Sequence, residues 1–485
     1  MASSRELRGP LADSYPAAVA LVVSALVPFL AVTASLAPLT KEIGKDVGLS
    51  KSSLELTTAM SDAAYAFGTV LAVQFAQHLR QRRMLLVYVV LFVIAAVVAA
   101  LAPSPGLFVG AFVVEGLCTS LMLIAAVPPL VIGWGAEKMP WTGAIMNLCI
   151  FGAVAAGPSI GSFEAGWKDW RTLFWVVAGI GGLALVFAVL TFEDVEPQDE
   201  DARWDIVAIL LAAVGCATAF FGAAQLEIHK HATPLALTTL FVGMTLIAVL
   251  VAYQYKLPKA LMPVEQMATT FPVMGVTIAV FASAAAFGLM DLALTALEKA
   301  SPTHTGYLFL PELGAAVLTA IVFGAIFRTR FTPIYALTGI VVLAVAGVVL
   351  IGVAGGSDAR IATGAGLLGL GVGAAVSPGL FIAGFSLASA QIQRVFALIE
   401  LLRGVGAFLF APVLLYLAGI FSTSEKTGIA DAAGLCAAVA VVGAAAGLLI
   451  FNAGGARLQR PDLETWQEKG DPAWDSPPLF QQLRD

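Results

Sequence analysis

Residues 141–163 read WTGAIMNLCIFGAVAAGPSIGSF and contain no charged side chain. A transmembrane helix needs about 20 mainly apolar residues, so this stretch is long enough to cross a lipid bilayer. Pro158 removes one backbone donor and can bend such a helix. Small residues recur along it at helical spacing, which lets a neighbouring helix approach closely. They are Gly143, Gly152, Gly157 and Gly161.

Runs of similar composition continue along the chain. Hydrophobic residues make up 59% of it and charged residues 12%, about half the charged share of a soluble domain. A soluble protein of 485 residues could not bury so much apolar surface, so we predict an all-α polytopic membrane protein. The fourteen predicted spans are 17–38, 54–77, 84–103, 106–134, 141–163, 171–192, 205–226, 235–255, 269–296, 303–327, 334–354, 361–386, 393–420 and 429–451.

The positive charges indicate how these spans are oriented. With the N-terminus inside, the cytoplasmic segments hold 16 Lys and Arg residues and the outer segments hold 9. Cytoplasmic loops carry an excess of Lys and Arg, so we expect both termini on the cytoplasmic side of a plasma membrane, such as a bacterial inner membrane. Residues 193–204 form an acidic cytoplasmic linker, and the cytoplasmic tail, 452–485, is expected to be loosely docked or disordered.

Five acidic side chains lie well inside the predicted spans, away from their ends, accompanied there by a single basic residue, Arg403. The acids are Asp62, Glu115, Asp291, Glu312 and Glu400. A charge at mid-bilayer costs about 3 kcal/mol on insertion scales, so such residues usually face a protein interior or a water-filled path. An excess of buried acids indicates the handling of protons or of cationic substrates.

Three of these acids are candidates for proton or cation coupling from their position alone. Asp62 is the first candidate and shares a helix face with Tyr65, three residues further on. Asp291 is the second candidate. Glu115 is a third, with a hydrogen bond to a neighbouring helix as the structural alternative.

The remaining two acids have specific structural alternatives. Glu312 follows Pro311, and backbone unwound by the proline could bind the Glu312 carboxylate as a structural partner. Glu400 and Arg403 are three residues apart and can pair on one helical face. We therefore favour a structural ion pair for Glu400 and keep Glu312 as a coupling candidate.

Sequence patterns for ATP-driven or hydrolytic chemistry are absent: the chain has no Walker A, GxSxG, HExxH or paired-cysteine metal pattern. We expect no enzyme activity, no cofactor, no metal and no nucleic acid. The expected partners are a small-molecule substrate, protons and the lipid bilayer, with a monomer as the working unit. Some side chains could contact an amphipathic substrate or simply pack between helices: Tyr65, Phe287, Met290 and Phe381.

Several stretches resemble the major facilitator superfamily. The glycines and the Gly157-Pro158 pair of residues 141–163 resemble the antiporter motif of its fifth span. Residues 301–314 (SPTHTGYLFLPELG) and 366–410 are similar to later spans of its fourteen-span drug:proton antiporter branch. The resemblance implies two six-helix halves around a central cavity, with two extra spans between them. The implied divisions are 1–192, 205–268 and 269–451, and all five acids then fall on cavity-facing helices.

The chain departs from the superfamily where the usual coupling residues lie. The loop between the second and third spans normally reads GxLaDrxGrR, but Gln74 replaces its first glycine and His78 its aspartate. In the fourth span, Phe112 stands in place of the usual arginine and Glu115 in place of the usual glutamine. Any proton pathway must therefore use other acids.

Three functions remain open from the sequence. The leading hypothesis is a secondary active transporter that exports amphipathic or cationic small molecules in exchange for protons by alternating access. The second is a metabolite or lipid transporter or facilitator without standard proton antiport. The third is a non-transporting membrane receptor or assembly partner. Flux into vesicles with an imposed pH gradient separates the three.

Overall fold

The computed structural model describes residues 9–193, 197, 203–229, 232–352, 356–421 and 425–480. Within these residues, fourteen helices have the length and hydropathy of membrane spans, which confirms the predicted number. We number them α1–α14 and the short helix after them α15. Their bounds are Tyr15–Val47 (α1), Lys51–His78 (α2), Gln81–Leu101 (α3), Pro105–Ile132 (α4), Ala136–Trp167 (α5), Trp170–Thr191 (α6), Ile206–His229 (α7), Pro234–Lys256 (α8), Thr270–Ala296 (α9), Pro302–Ile326 (α10), Thr332–Leu350 (α11), Asp358–Phe385 (α12), Ile392–Phe421 (α13), Glu425–Ala453 (α14) and Leu463–Glu468 (α15).

Local capping signals set the turn between α1 and α2. Gly48 ends α1 in the left-handed region at φ 78°, where glycine is favoured, and its N–H donates to the Gly44 carbonyl at 3.0 Å. Ser50 precedes α2, and its Oγ accepts a hydrogen bond from the Ser53 N–H at 3.1 Å. The two caps satisfy backbone groups at both helix ends, so α2 begins shortly after α1 stops.

The glycines near the end of α5 let it pack tightly against α1. A Cβ on Gly157 would overlap Ala34, and one on Gly161 would overlap the Ser35 backbone. The Ser35 Oγ also donates to the Gly157 carbonyl at 3.0 Å, which joins the two helices directly. These two positions of the antiporter-like motif therefore serve close packing within the N-terminal half, which comprises α1–α6.

The irregularity in α5 lies before the proline. Residues Leu148–Gly152 form one π-helical turn, while the helix continues through Pro158 as far as Trp167. A π-turn inserts an extra residue into the helical ladder and changes the direction of the side chains that follow. Asn147 stands immediately before this turn and points across the bundle, as described below.

The two extra spans, α7 and α8, pair with each other and pack on one edge of the bundle. Gly222 and Gly243 lie where a Cβ would overlap the opposite helix of the pair. On its other side, α7 packs against both α2 and α13, so it covers one junction between the N-terminal half and the C-terminal half, α9–α14. Most of the predicted linker before α7 lies outside the described residues.

The residues that replace the loop motif between α2 and α3 attach this extra pair. The Asp205 N–H donates to the Gln74 Oε1 at 2.9 Å, and the Gln254 Nε2 donates to the Asp205 Oδ2 at 2.8 Å. The His78 ring stacks on Trp204 with 4.5 Å between ring centroids. Gln74 and His78 therefore connect α2 to the beginning of α7 and to α8, a contact that glycine and aspartate could not make in this way.

The described part of the tail is docked, so the expectation of a loose or disordered end was wrong for residues 454–480. Trp466 and Trp474 are almost completely buried, at 0% and 1% exposure. Asp462 caps α15 by accepting the Thr465 N–H at 3.0 Å, and this hydrogen bond lowers the pKa of Asp462. Burial of two tryptophans offsets the conformational entropy lost when such a segment becomes ordered.

Candidate functional site

The sequence-predicted ionisable residues lie in the protein interior. Asp291 is partly exposed, whereas the other four acids and Arg403 are buried. They are distributed over α2 (Asp62), α4 (Glu115), α9 (Asp291), α10 (Glu312) and α13 (Glu400 and Arg403). None of these helices carries two of the acids, so any grouping of them depends on how the helices pack.

The contact between α2 and α13 forms one such group. The Arg403 Nη2 donates to the Glu400 Oε2 at 2.5 Å, and its Nε donates to the two carboxylate oxygens at 3.1 and 3.2 Å. From the other half, the Tyr65 hydroxyl donates to the Glu400 Oε2 at 3.2 Å. The ion pair is thus held within α13 and also connects the two halves of the bundle.

Asp62 interacts electrostatically with one cationic and one anionic side chain of the C-terminal half. It is within range of Coulomb interactions with both Arg403 on α13 and Asp291 on α9. The Arg403 guanidinium is already engaged by Glu400. Full ionisation of these four groups would leave two surplus negative charges in a site of low dielectric constant, which is unfavourable without protons or a cation.

A series of acids extends from Asp291 towards one end of the bundle. Asp291 interacts electrostatically with Glu55 on α2, and Glu227 on α7 interacts with both of them. Lys51, at the beginning of α2 and about 16 Å along the helix from Asp62, pairs with Glu298 at 3.7 Å. The sequence prediction missed Glu227 because its seventh span ended at residue 226 and was predicted to carry no acid at mid-depth. In the structure α7 continues to His229.

The other two buried acids are separate from this series. Both carboxylate oxygens of Glu115 and the Oε2 of Glu312 are buried and make no hydrogen bond within the described residues. The expectation that Pro311 unwinds the backbone around Glu312 was wrong, because α10 is continuous from Pro302 to Ile326. The carbonyl that the proline leaves without a partner does not interrupt the helix.

The contact between α5 and the C-terminal half uses polar residues that sequence reasoning did not single out. The Asn147 Nδ2 donates to the Gly373 carbonyl on α12 at 3.0 Å. The Ser159 Oγ donates to the Gly306 carbonyl on α10 at 2.9 Å. Gly143 faces Phe327, whose ring lies 2.7 Å from the position of an added Cβ. The asparagine within the apolar run was a usable signal, since buried amides require partners.

The side chains proposed for a substrate cavity fall into separate aromatic groups. Tyr65 stacks on Phe29 at 6.3 Å between centroids, and Phe287 packs edge-on against Phe408 at 5.1 Å. Phe381 belongs to another cluster, in which it stacks on Phe385 at 5.5 Å. Met290 is buried one residue before Asp291. Tyr65 and Phe287 lie on α2 and α9, which also carry Asp62 and Asp291, whereas the Phe381 cluster is formed with α10 and α12.

Metal-ligating side chains do not cluster in this interior. Over the part of the chain that the structure describes, no group of three or more His, Cys, Asp or Glu side chains has an arrangement suited to a metal ion. The four cysteines are buried and free, and they lie on four different helices.

A bundle of fourteen spans with buried carboxylates at the contact between two halves is typical of a membrane transport protein. The family model described as Major Facilitator Superfamily matches residues 19–411, and the chain belongs to this superfamily. It is accordingly a multi-pass secondary transporter and not an enzyme. Members of the superfamily bind small-molecule substrates within a membrane.

The relatives agree with the resemblance to the fourteen-span branch. The chain is 25% identical over 406 residues to the multidrug resistance protein B homolog of Mycobacterium tuberculosis strain H37Rv, covering 79% of this chain and 72% of that protein. It is 23% identical over 385 residues to the multidrug resistance protein Stp of Mycobacterium tuberculosis strain CDC 1551, covering 77% and 70%. A stretch of 130 residues, 27% of each chain, is 26% identical to the lincomycin resistance protein LmrB of Bacillus subtilis.

Solved structures show the same fold at low sequence identity. The human organic anion transporter MFSD10 superposes with a TM-score of 0.64 at 11% identity, over 89% of this chain and 99% of that one. A peptide transporter crystallised with sulfate superposes with a TM-score of 0.61 at 16% identity, over 90% and 94%. These likenesses confirm the major facilitator fold and do not identify a substrate.

Proposed function

We propose that this transporter exports amphipathic or cationic small molecules in exchange for protons by alternating access between its two halves. Asp62 and Asp291 are the coupling groups, and Glu227 extends their series towards one end of the bundle. Glu400 and Arg403 hold the neighbouring α2–α13 contact together. These acids take over the proton coupling that, in other members of the family, uses residues which this chain has replaced, such as the loop aspartate at the position of His78.

The single observation that carries this proposal is the electrostatic interaction between Asp62 on α2 and Asp291 on α9, across the two halves. The two carboxyl groups interact electrostatically, and the neighbouring guanidinium is engaged by Glu400. A desolvated carboxylate is unfavourable, so protons or a bound cation neutralise the pair. Exchange of a proton for a cationic substrate then keeps the charge of the site nearly constant while the halves move.

The names of the relatives support the substrate class. The relatives compared above are described as multidrug or lincomycin resistance proteins. Tyr65 on α2 and Phe287 on α9 share their helices with Asp62 and Asp291, and they pack against Phe29 and Phe408. An aromatic surface beside a carboxylate suits an amphipathic organic cation.

The distribution of basic residues supports the orientation. We place both chain ends in the cytoplasm because 16 of the Lys and Arg residues then fall on that side, against 9 outside. The Lys51–Glu298 end of the acidic series consequently faces outwards. Protons would enter from that side, where a respiring bacterial cell keeps them concentrated.

Purified protein reconstituted into liposomes tests the proposal with ethidium, a fluorescent amphipathic cation. An imposed pH gradient should drive ethidium movement against its own gradient, and collapsing the pH gradient with an ionophore should stop it. Asp62→Asn and Asp291→Asn should each abolish the driven movement. Glu265→Gln, which alters an exposed carboxylate between α8 and α9, should retain it.

The alternatives give different results in the same assay. Ethidium or metabolite movement that does not depend on the pH gradient would favour a facilitator. The absence of flux across a broad panel of compounds would favour a receptor or assembly partner. Driven transport at the wild-type rate in both asparagine variants would contradict the assignment of the coupling groups.

A further inference from the structure

The segment of residues 454–480, which we call the strap, is anchored to the C-terminal half. The Trp466 Nε1 donates to the Leu387 carbonyl at 2.9 Å, and its ring packs edge-on against Phe385 at 4.4 Å between centroids. The Ala473 N–H donates to the Phe385 carbonyl at 2.8 Å. The Thr270 Oγ1, at the beginning of α9, donates to the Pro477 carbonyl at 2.9 Å. These contacts reach α9 and the connection between α12 and α13.

The strap also crosses to the N-terminal half through Gln467. Its Nε2 donates to the Ile132 carbonyl at 3.2 Å and to the Trp134 carbonyl. Ile132 is the last residue of α4, and the last carbonyls of a helix have no partner within the helix. Within the described residues, every hydrogen bond from the strap to the N-terminal half comes from this one side chain. Gln467 therefore caps α4 while its own segment belongs to the other half.

The segment that accepts the Gln467 hydrogen bonds, Ile132 to Trp134, is held in place by other helices of the N-terminal half. Trp134 packs edge-on against Tyr15 of α1 at 5.5 Å between centroids. The Tyr15 hydroxyl hydrogen-bonds with the Thr142 Oγ1 on α5 at 3.0 Å. Gln467 thus contacts a point at which α1, α4 and α5 meet. We call this end of the bundle, where Tyr15 and the strap come together, the terminal face.

We propose that the strap is a built-in latch that holds the terminal face closed, with Trp466 as its anchor and Gln467 as its releasable contact. Opening the terminal face moves the two halves apart and must break the Gln467 bonds to Ile132 and Trp134. The anchor on the C-terminal half can remain in place during that movement. The latch favours the closed state of this face and slows its opening.

A cavity beside Gln467 makes the contact releasable. It has a volume of about 460 Å³ and is lined by residues of both halves and of the strap, including Glu137, Arg328 and Glu464. Water that enters this polar space can take the place of the Gln467 amide and hydrogen-bond the Ile132 and Trp134 carbonyls. The two carbonyls therefore keep hydrogen-bond partners when Gln467 moves away. Trp466, in contrast, is fully buried, and exposing its ring to water would cost more free energy than exposing Gln467.

The proposal rests on the alternating access of the proposed function, but its test requires neither substrate nor proton gradient. Ile124 is buried in α4, and its carbonyl accepts the Gln393 Nε2 of α13 at 3.0 Å, so this part of α4 meets the other half and we expect position 124 to become accessible when the terminal face opens. An Ile124→Cys variant of the full chain serves as the parent and is labelled with a membrane-impermeant maleimide in detergent. The protein with native Ile124 gives the background from the four buried cysteines.

Two substitutions of Gln467 are introduced into this parent. Gln467→Glu keeps the shape of the side chain and removes its amide donor, and Gln467→Ala removes the contact without adding charge. Gln459 offers a matched control, because its Nε2 donates to the Asp475 carbonyl inside the strap at 2.7 Å. Each Gln467 variant should raise the labelling rate of the introduced thiol about fivefold, the factor expected for one net hydrogen bond. Gln459→Glu and Gln459→Ala should label at the parent rate.

Two outcomes would overturn the latch. Labelling of both Gln467 variants at the rate of their Gln459 counterparts would show that the contact does not hold the terminal face closed. An equal rise in all four variants would show that any disturbance of the strap loosens the bundle. Tryptophan fluorescence of each variant verifies that Trp466 and Trp474 stay buried, so loss of the anchor is recognised as a separate result.

Discussion

The buried ion pair between Glu400 and Arg403 gives the sharpest energetic prediction. Arg403→Met removes the cation and leaves the Glu400 carboxylate buried, with the Tyr65 hydroxyl as its one remaining donor among the described residues. Breaking a buried pair in this way costs about 3–5 kcal/mol. Glu400→Gln should cost less, because Arg403 retains its Coulomb interaction with Asp62. The double variant removes both buried groups and should cost about 1 kcal/mol.

The assay is unfolding in mixed micelles by titration with SDS, with helix content followed by circular dichroism. Lys51→Met is the matched control, because the Lys51–Glu298 pair is 3.7 Å long and both side chains are about two-thirds exposed. It should change the free energy of unfolding by less than about 1 kcal/mol. A double Glu400/Arg403 variant as unstable as the sum of its single variants would refute the reasoning, since it would show that the two charges are not coupled.

Three further variants test other parts of the structure. Gly161→Leu should destabilise the protein by about 1–3 kcal/mol through overlap with α1. Gly182→Leu is its control, because within the described residues no neighbouring helix has an atom within 4 Å of the Cβ position, and it should change the free energy of unfolding by less than about 0.5 kcal/mol in the same titration. Equal effects of the two substitutions would contradict the α1–α5 packing. Asp205→Ala should lower the free energy of unfolding by about 1–3 kcal/mol, because it leaves the buried Gln254 amide without its acceptor. An unchanged unfolding curve would mean that Asp205 does not stabilise the attachment of α7 and α8. Glu227→Gln should slow pH-driven ethidium transport without changing the unfolding curve, and transport at the wild-type rate would remove Glu227 from the acidic series.

The fold could be predicted from the sequence because hydropathy and length decide most of it. Each apolar run reached the length of a span, about 20 residues, and each break carried charges or turn residues. The tail could not be assigned in this way. Its charges and prolines are typical of a solvated segment, and burial of Trp466 and Trp474 depends on a surface formed by α9, α12 and the connection after α12.

The candidate site could be predicted only as a set of residue types. Buried acids are easily recognised in apolar spans. The electrostatic interaction of Asp62 with Asp291, however, depends on how α2 and α9 pack, and the two residues are separated by more than two hundred residues of chain. From the sequence, Gln74 could be interpreted only as a residue that replaces a glycine of the family motif. Its partner, Asp205, is 131 residues away, and no local pattern indicates that contact. The continuous α10 around Pro311 likewise shows that tertiary packing can override a local helix-breaking signal.

The most direct test of the central claim is the release of protons when a cationic substrate binds. Ethidium is added to purified protein in weakly buffered detergent solution at neutral pH, and the change in proton concentration is followed with a pH-sensitive dye. The account predicts a net release of protons from the wild type and from Glu265→Gln, and none from the double variant Asp62→Asn/Asp291→Asn. Ethidium binding with equal proton release in the double variant, or binding to the wild type without any release, would contradict it.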